Sequence, residues 1–132
     1  MTPKTPAKTA AKAAPRDLSA VFDELHAILA RFAKPFTVRE KYVRDKRDYH
    51  LILKKKVITD GREKDELWFA SIIQQKNNVG FYFSAAYCPP ELLKHLDGKT
   101  CFHMTELTPQ LKKDVTAALK NGIADYKKKG WL

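Results

Sequence analysis

The sequence predicts an α+β domain: a single twisted antiparallel sheet of about five strands, with an N-terminal and a C-terminal helix packed on one face. Three observations carry this. Apolar residues recur at spacings of three and four near both ends of the chain. The middle switches to runs rich in β-branched and aromatic residues. Two tight-turn signals, Asp60-Gly61 and Asn77-Asn78, punctuate those runs.

In chain order, "MTPKTPAKTAAKAAPR" (1–16) is an Ala/Lys/Pro-rich basic tail without an aromatic or branched aliphatic residue. Such a segment cannot bury enough apolar surface to offset its ordering entropy, and it reads as disordered. It is either a solubilising extension or a cationic arm that touches phosphates, the former being the commoner case. The folded domain is expected over 17–132. Leu18, Val21, Phe22, Leu25, Ile28, Leu29 and Phe32 form the apolar stripe of a first helix over 17–33. Asp17 or Ser19 can cap it, and Pro35 ends it. Strands follow at 36–44, 49–58, 66–76 and 79–87. Residues 88–98 read as a short helix with Pro90 and Glu91 in its first turn and Gly98 just past its end. "TCFHM" (100–104) is a fifth strand. A closing helix begins at a Thr108 cap with Pro109 at its first position. Its stripe is Leu111, Val115, Leu119, Ile123 and Tyr126, and Gly130 breaks it.

Paired residues of an antiparallel hairpin share a face. Two-residue turns at Asn77-Asn78 and Asp60-Gly61, with a four-residue turn at 45–48, pair Ile72 with Phe83, Leu51 with Ala70, Leu53 with Trp68 and Tyr42 with Leu51. The apolar face is then Tyr42, Leu51, Leu53, Val57, Trp68, Ala70, Ile72, Phe81, Phe83, Ala85 and Tyr87, and the helices cover it. The opposite face gathers Arg39, Lys41, His50, Ile52, Lys54, Lys56, Leu67, Phe69, Ser71, Ile73, Tyr82 and Ser84. Cations beside aromatics suit phosphates together with stacked rings. A partly covered face or a self-association surface produces the same pattern.

Lys and Arg number 25 against 15 Asp and Glu, a formal charge of +10, and without the tail the domain is still +6. That balance favours anionic partners. No apolar run approaches the roughly 20 residues of a membrane span, and the start lacks the apolar core of a secretory signal. The expectation is a cytoplasmic protein whose two cysteines, Cys88 and Cys101, need no disulfide.

The pair Cys101 and His103 sits at i and i+2, which places both on one side of a strand. Phe102 and Met104 take the core side, so Cys101 and His103 belong on the mixed face or its edge. With Cys88, His95 and His50 they match no usual zinc spacing. At i and i+2 they are also roughly 6.5–7 Å apart along the strand, too far for a nucleophile and its base. No Gly-rich phosphate loop, Ser–His–Asp spacing or carboxylate pair is evident. No enzyme, no cofactor and no metal site are expected.

The segments "YHLILKK", "ELWFASIIQQKNNVGFYF", "YCPPELLKHLDGKTCFHM" and "LKNGIADYKKKGWL" together resemble the YdhG-like family of small bacterial domains of unknown function. The resemblance covers about 36–132 and is most specific at "GKTCFH" and the final Lys129-Gly130-Trp131. It implies helices against a twisted antiparallel sheet and no settled activity. Some such domains are described as frataxin-like iron-delivery proteins. That role relies on acidic surface residues, of which the first helix offers only Asp17, Asp23 and Glu24. The expected function is a small non-enzymatic binding module. Its mixed face takes an anionic ligand or nucleic acid through Arg39, Lys41, Lys54, Lys56, Phe69, Tyr82 and His103. The alternative is a frataxin-like iron chaperone.

Overall fold

A computed structural model describes residues 18–43, 46–59 and 61–132. The expected tail (1–16) and the Asp17 cap lie outside the described residues. Helix α1 spans Leu18–Ala30. Strands β1 (Thr37–Val43) and β2 (Lys46–Leu53) follow, then a short ribbon of β3 (Val57–Thr59) and β4 (Arg62–Lys64). Next come β5 (Leu67–Gln74), β6 (Val79–Tyr82), a 3-10 turn at Ala85–Tyr87 and the single-turn helix α2 (Pro90–Leu93). β7 (Leu96–Asp97), β8 (Cys101–Met104) and α3 (Pro109–Lys128) complete the order.

The expectation of one sheet of about five strands is corrected. Among the described residues there are eight strands in two sheets and three helices. A six-stranded antiparallel sheet has the order β1-β2-β5-β6-β8-β7, and β3-β4 forms a separate two-stranded ribbon. The expected strand 49–58 breaks at three consecutive lysines. Lys55 turns away and donates to the backbone carbonyls of Gly130 (3.1 Å) and Trp131 (3.0 Å). The hairpin expected there is therefore confined to the ribbon, where Thr59 pairs with Arg62 and Gly61 has φ 75°. That left-handed angle suits glycine. The expected strand 79–87 stops at Tyr82. The expected helix 88–98 is shortened to the single turn Pro90–Leu93, and Leu96–Asp97 form β7 instead, leaving Gly98 (φ 91°) in the β7–β8 turn.

Helices pack on one face of the large sheet, as the apolar stripes require. Val21, Phe22, Leu25, Ile28 and Leu29 of α1 and Leu111, Val115, Ala118, Leu119 and Tyr126 of α3 are buried. They meet Leu51, Ala70, Ile72, Phe81 and Phe102 from the strands. Thr108 caps α3 as expected, its Oγ1 accepting from Leu111 N at 3.1 Å. Tyr42 was expected in this core and is 74% exposed. It pairs with Arg47 at the sheet's outer edge, and the Arg47 guanidinium covers Phe22 at 4.2 Å.

Three registers differ from expectation, with different consequences. Ile72 pairs with Phe81 rather than Phe83, a slip of two, and Leu51 pairs with Val38 rather than Tyr42, a slip of four. Even slips preserve faces. Between β2 and β5, however, Leu51 pairs with Ala70 and the next residue, Ile52, pairs with Trp68. Phe69 is the extra residue of a β-bulge. Trp68, expected inside, is 50% exposed, and Phe69, expected outside, is 4% exposed. Phe69 stacks on Phe36 at 4.5 Å and meets Phe83 and Tyr126 edge-on at 5.2 and 5.1 Å.

Candidate ligand-binding cleft

The helix-free face is built from two cross-strand rows. One runs Arg39, His50, Ser71, Tyr82, Cys101; the other runs Lys41, Asp48, Ile73, Gly80, His103. In the first row the His50 Nδ1 lies 2.7 Å from Ser71 Oγ, and both residues are buried. On its other side the His50 Nε2 is 3.8 Å from Asp48 Oδ2. Burial pushes the His50 imidazole below its ordinary range. Asp48 pulls the other way, and Arg39 and Lys41 add to the lowering. His50 is therefore neutral near pH 7.

Trp68 stands beside this pair, its ring edge-on to His50 at 4.8 Å between centroids. The Arg39 guanidinium lies 5.5 Å over the same indole, a cation–π contact. The indole Nε1 donates to Glu66 Oε2 at 3.0 Å, and Lys54 Nζ donates to Glu66 Oε1 at 3.0 Å. Those two hydrogen bonds, Lys54's first, hold the Glu66 carboxyl below its usual range. Further along, Tyr82 lies across Gly80, where a Cβ would meet its ring at 2.8 Å. Gln75 Nε2 donates to the Tyr82 hydroxyl at 2.9 Å. Burial, and then Cys101, raise the Tyr82 phenol, so it stays protonated.

The pairing of β5 with β6 ends at Ser71 and Tyr82. Beyond that point the chain leaves β5, Phe83 N donates to Thr100 O at 2.9 Å, and the 3-10 turn begins. Trp68, Phe69 and Ala70 lose their neighbour on that side while keeping β2 on the other. The split opens a cleft of about 410 Å³. His50, Trp68, Ser71, Tyr82, Ser84 and Thr100 line it together with the aromatic rings of Phe69, Phe83, Tyr87 and Tyr126. Among them Tyr87 is fixed by its hydroxyl, which donates to Asp125 Oδ2 at 2.5 Å.

Of the seven residues expected to form a site, Arg39, Lys41, Tyr82 and His103 do share this face. His103 lies at its far side, with Nδ1 3.3 Å from Asp97 Oδ2. Phe69 is corrected to the core, though its ring reaches the cleft from within. Lys54 lies past the end of β2, bound to Glu66, because Arg39 pairs with His50 and not with Lys54. Lys56 is exposed in the connection to β3. Sequence reasoning placed His50 and Ser71 on this face but did not single out their contact, nor Asp48 beside it. The signal was present, since pairing Leu51 with Ala70 necessarily sets His50 opposite Ser71. Cys88 and Cys101 are unbonded. Among the described residues no three His, Cys, Asp or Glu side chains are grouped to hold a metal ion, and no helix is long and apolar enough to cross a membrane.

Comparison with protein-family models, with curated proteins and with solved structures finds no match to this chain.

Proposed function

We propose that the protein is a binding module for a small anionic ligand that carries a flat ring, seated in the β5–β6 cleft. The observation that carries this is Arg39. It is held over Trp68 at the sheet face, and among the described residues no carboxylate lies within ion-pair distance of it. A cation fixed beside an indole, next to an aromatic-lined opening, suits an anionic group attached to a ring. The volume of about 410 Å³ falls in the range of small-ligand pockets, roughly 300–1,000 Å³. The net positive charge of the domain supports an anion. The hydroxyls of Ser84 and Thr100 offer hydrogen bonds to polar ring substituents.

A nucleic-acid strand is the less favoured occupant. Tracking a strand takes a row of exposed aromatics with free cations beside them. Phe69 is interior and Lys54 is engaged by Glu66. The YdhG-like resemblance carries no activity and does not affect the choice of ligand. The two unbonded cysteines support a cytoplasmic setting.

Trp68 reports on the site directly. In a Trp131→Phe background it is the one remaining tryptophan of the chain. Titration with aromatic carboxylates and nucleoside monophosphates is expected to quench its emission saturably. Arg39→Ala should weaken that binding about tenfold, the equivalent of about 1.4 kcal/mol. Unsaturable quenching across the whole panel, or equal affinity in the Arg39 variant, would overturn the reading. Steeply salt-dependent anisotropy with a labelled oligonucleotide would replace it with nucleic-acid binding.

A further inference from the structure

We infer that the cleft is also a hydrolytic site, in which Ser71 is the nucleophile, His50 the general base and Asp48 the residue that orients the imidazole, acting on small aromatic esters. The inference goes beyond ligand binding and departs from the expectation of no enzyme.

The geometry is that of an activated nucleophile. A serine needs a base within about 2.6–3.2 Å and a third group on the far side of that base. Ser71 Oγ and His50 Nδ1 are 2.7 Å apart. The opposite ring nitrogen, Nε2, faces Asp48 Oδ2 at 3.8 Å, a looser contact of the kind that tightens when a substrate closes a site. With the Nε2 proton turned to Asp48, Nδ1 is the acceptor and Ser71 O–H the donor. A merely structural serine–histidine pair needs neither a carboxylate behind the ring nor an opening in front of the hydroxyl. Here both are present, since His50 and Ser71 line the cleft and are otherwise closed off from solvent.

Ser71 Oγ would attack the ester carbonyl carbon, forming the Oγ–C bond as its proton passes to His50 Nδ1 and the carbonyl electron pair moves onto oxygen. Collapse of that tetrahedral species breaks the C–O bond to the alcohol, which leaves with the proton from His50. Water then attacks the acyl-serine with His50 again as base, releasing the carboxylic acid and restoring Ser71. Electron pairs and protons balance, with water as the sole co-reactant. Ser84 and Thr100 line the same cleft, and their hydroxyls are the donors at hand for the oxyanion. The aromatic lining of the cleft selects an aryl or arylacyl ester over an aliphatic one.

The intact protein is incubated with a fluorophosphonate probe and, separately, with 4-nitrophenyl benzoate. Expected are a single mass adduct mapped to Ser71 and release of 4-nitrophenolate at a rate that Ser71→Ala lowers about 100-fold or more, the scale of positioned acid–base catalysis. Asp48→Asn should lower kcat with KM little changed, the mark of a positioning residue rather than of a lost binding contact. Adduct at another residue, no adduct at all, or hydrolysis equal in wild type and Ser71→Ala overturns the inference. The labelling arm needs only the wild-type protein, so it decides even where a variant fails to fold. Trp68 quenching by aromatic carboxylates without hydrolysis would sink this inference and leave the binding reading standing.

Discussion

The two halves of β5 behave differently. Ser71 to Ile73 are paired on both sides, to β2 and to β6, and their side chains alternate cleanly between helix-covered core and open face. Leu67 to Ala70 are paired on one side only and carry an extra residue. In the first half alternation alone assigns each side chain. In the second, a single inserted residue exchanges two large aromatics, sending Phe69 into the helices and Trp68 to the surface beside Arg39. The same irregularity coincides with the split that opens the cleft. Bulges are over-represented beside functional sites because they re-aim side chains and end pairing. In this protein the bulge re-aims Trp68 and Phe69 within two residues of where the β5–β6 pairing ends.

The largest effect expected of this contrast is at Phe69. Phe69→Ala should cost about 3–5 kcal/mol, the range for aromatic truncation in a core, measured by urea denaturation. Trp68→Ala, one residue earlier and half-exposed, should cost about 1 kcal/mol or less. Equal or reversed costs would show that β5 runs without the bulge. Gly122 sharpens the same point from the helix side. A Cβ on Gly122 would stand 2.8 Å from Phe69 Cε1 and 2.9 Å from Phe83 Cζ. Helix propensity favours alanine by about 1 kcal/mol, yet Gly122→Ala should destabilise by about 1–3 kcal/mol through overpacking. A stabilised variant would mean that the Phe69 ring does not lie against α3.

The smallest effect is a pH dependence at the paired half of β5. Burial lowers the His50 pKa in the folded state, against Asp48 and with Arg39 and Lys41. The unfolded chain therefore binds more protons between that lowered value and about 6.5. Stability due to neutral His50 is full above about pH 6.5 and is lost as pH falls through the folded value. The wild-type melting midpoint should fall more between pH 7 and 5 than that of His50→Gln. A His50 titration midpoint above 6.5, followed by NMR, would contradict the buried pair with Ser71.

Much of this was legible beforehand for a physical reason. Helices announce themselves through an apolar stripe, and α1 and α3 carry theirs at nearly every core position from Val21 to Tyr126. The Thr108-Pro109 start of α3 is local chemistry, since a threonine oxygen and a missing N–H meet the needs of the first turn within four residues. Side-chain parity survived even a four-residue slip between β1 and β2, because alternation depends on odd or even offset and not on the partner. Arg39, Lys41, Tyr82 and His103 were therefore placed on the right face from sequence. What local signals do not encode is where pairing stops. The lysine run at 54–56 leaves the sheet because Lys55 finds the carbonyls at the end of α3, more than seventy residues away. The bulge at Phe69 exists because the space between Phe36, Phe83 and Tyr126 accepts a ring. Both are decided by contacts distant in sequence, and the bulge exchanges Trp68 and Phe69 between surface and core beside the cleft. Sequence determined which residues are apolar, which elements form and which side most strand residues face. Tertiary packing alone decided where the strand order breaks, because a one-residue insertion has little local cost and its benefit is collected entirely from the far side of the core.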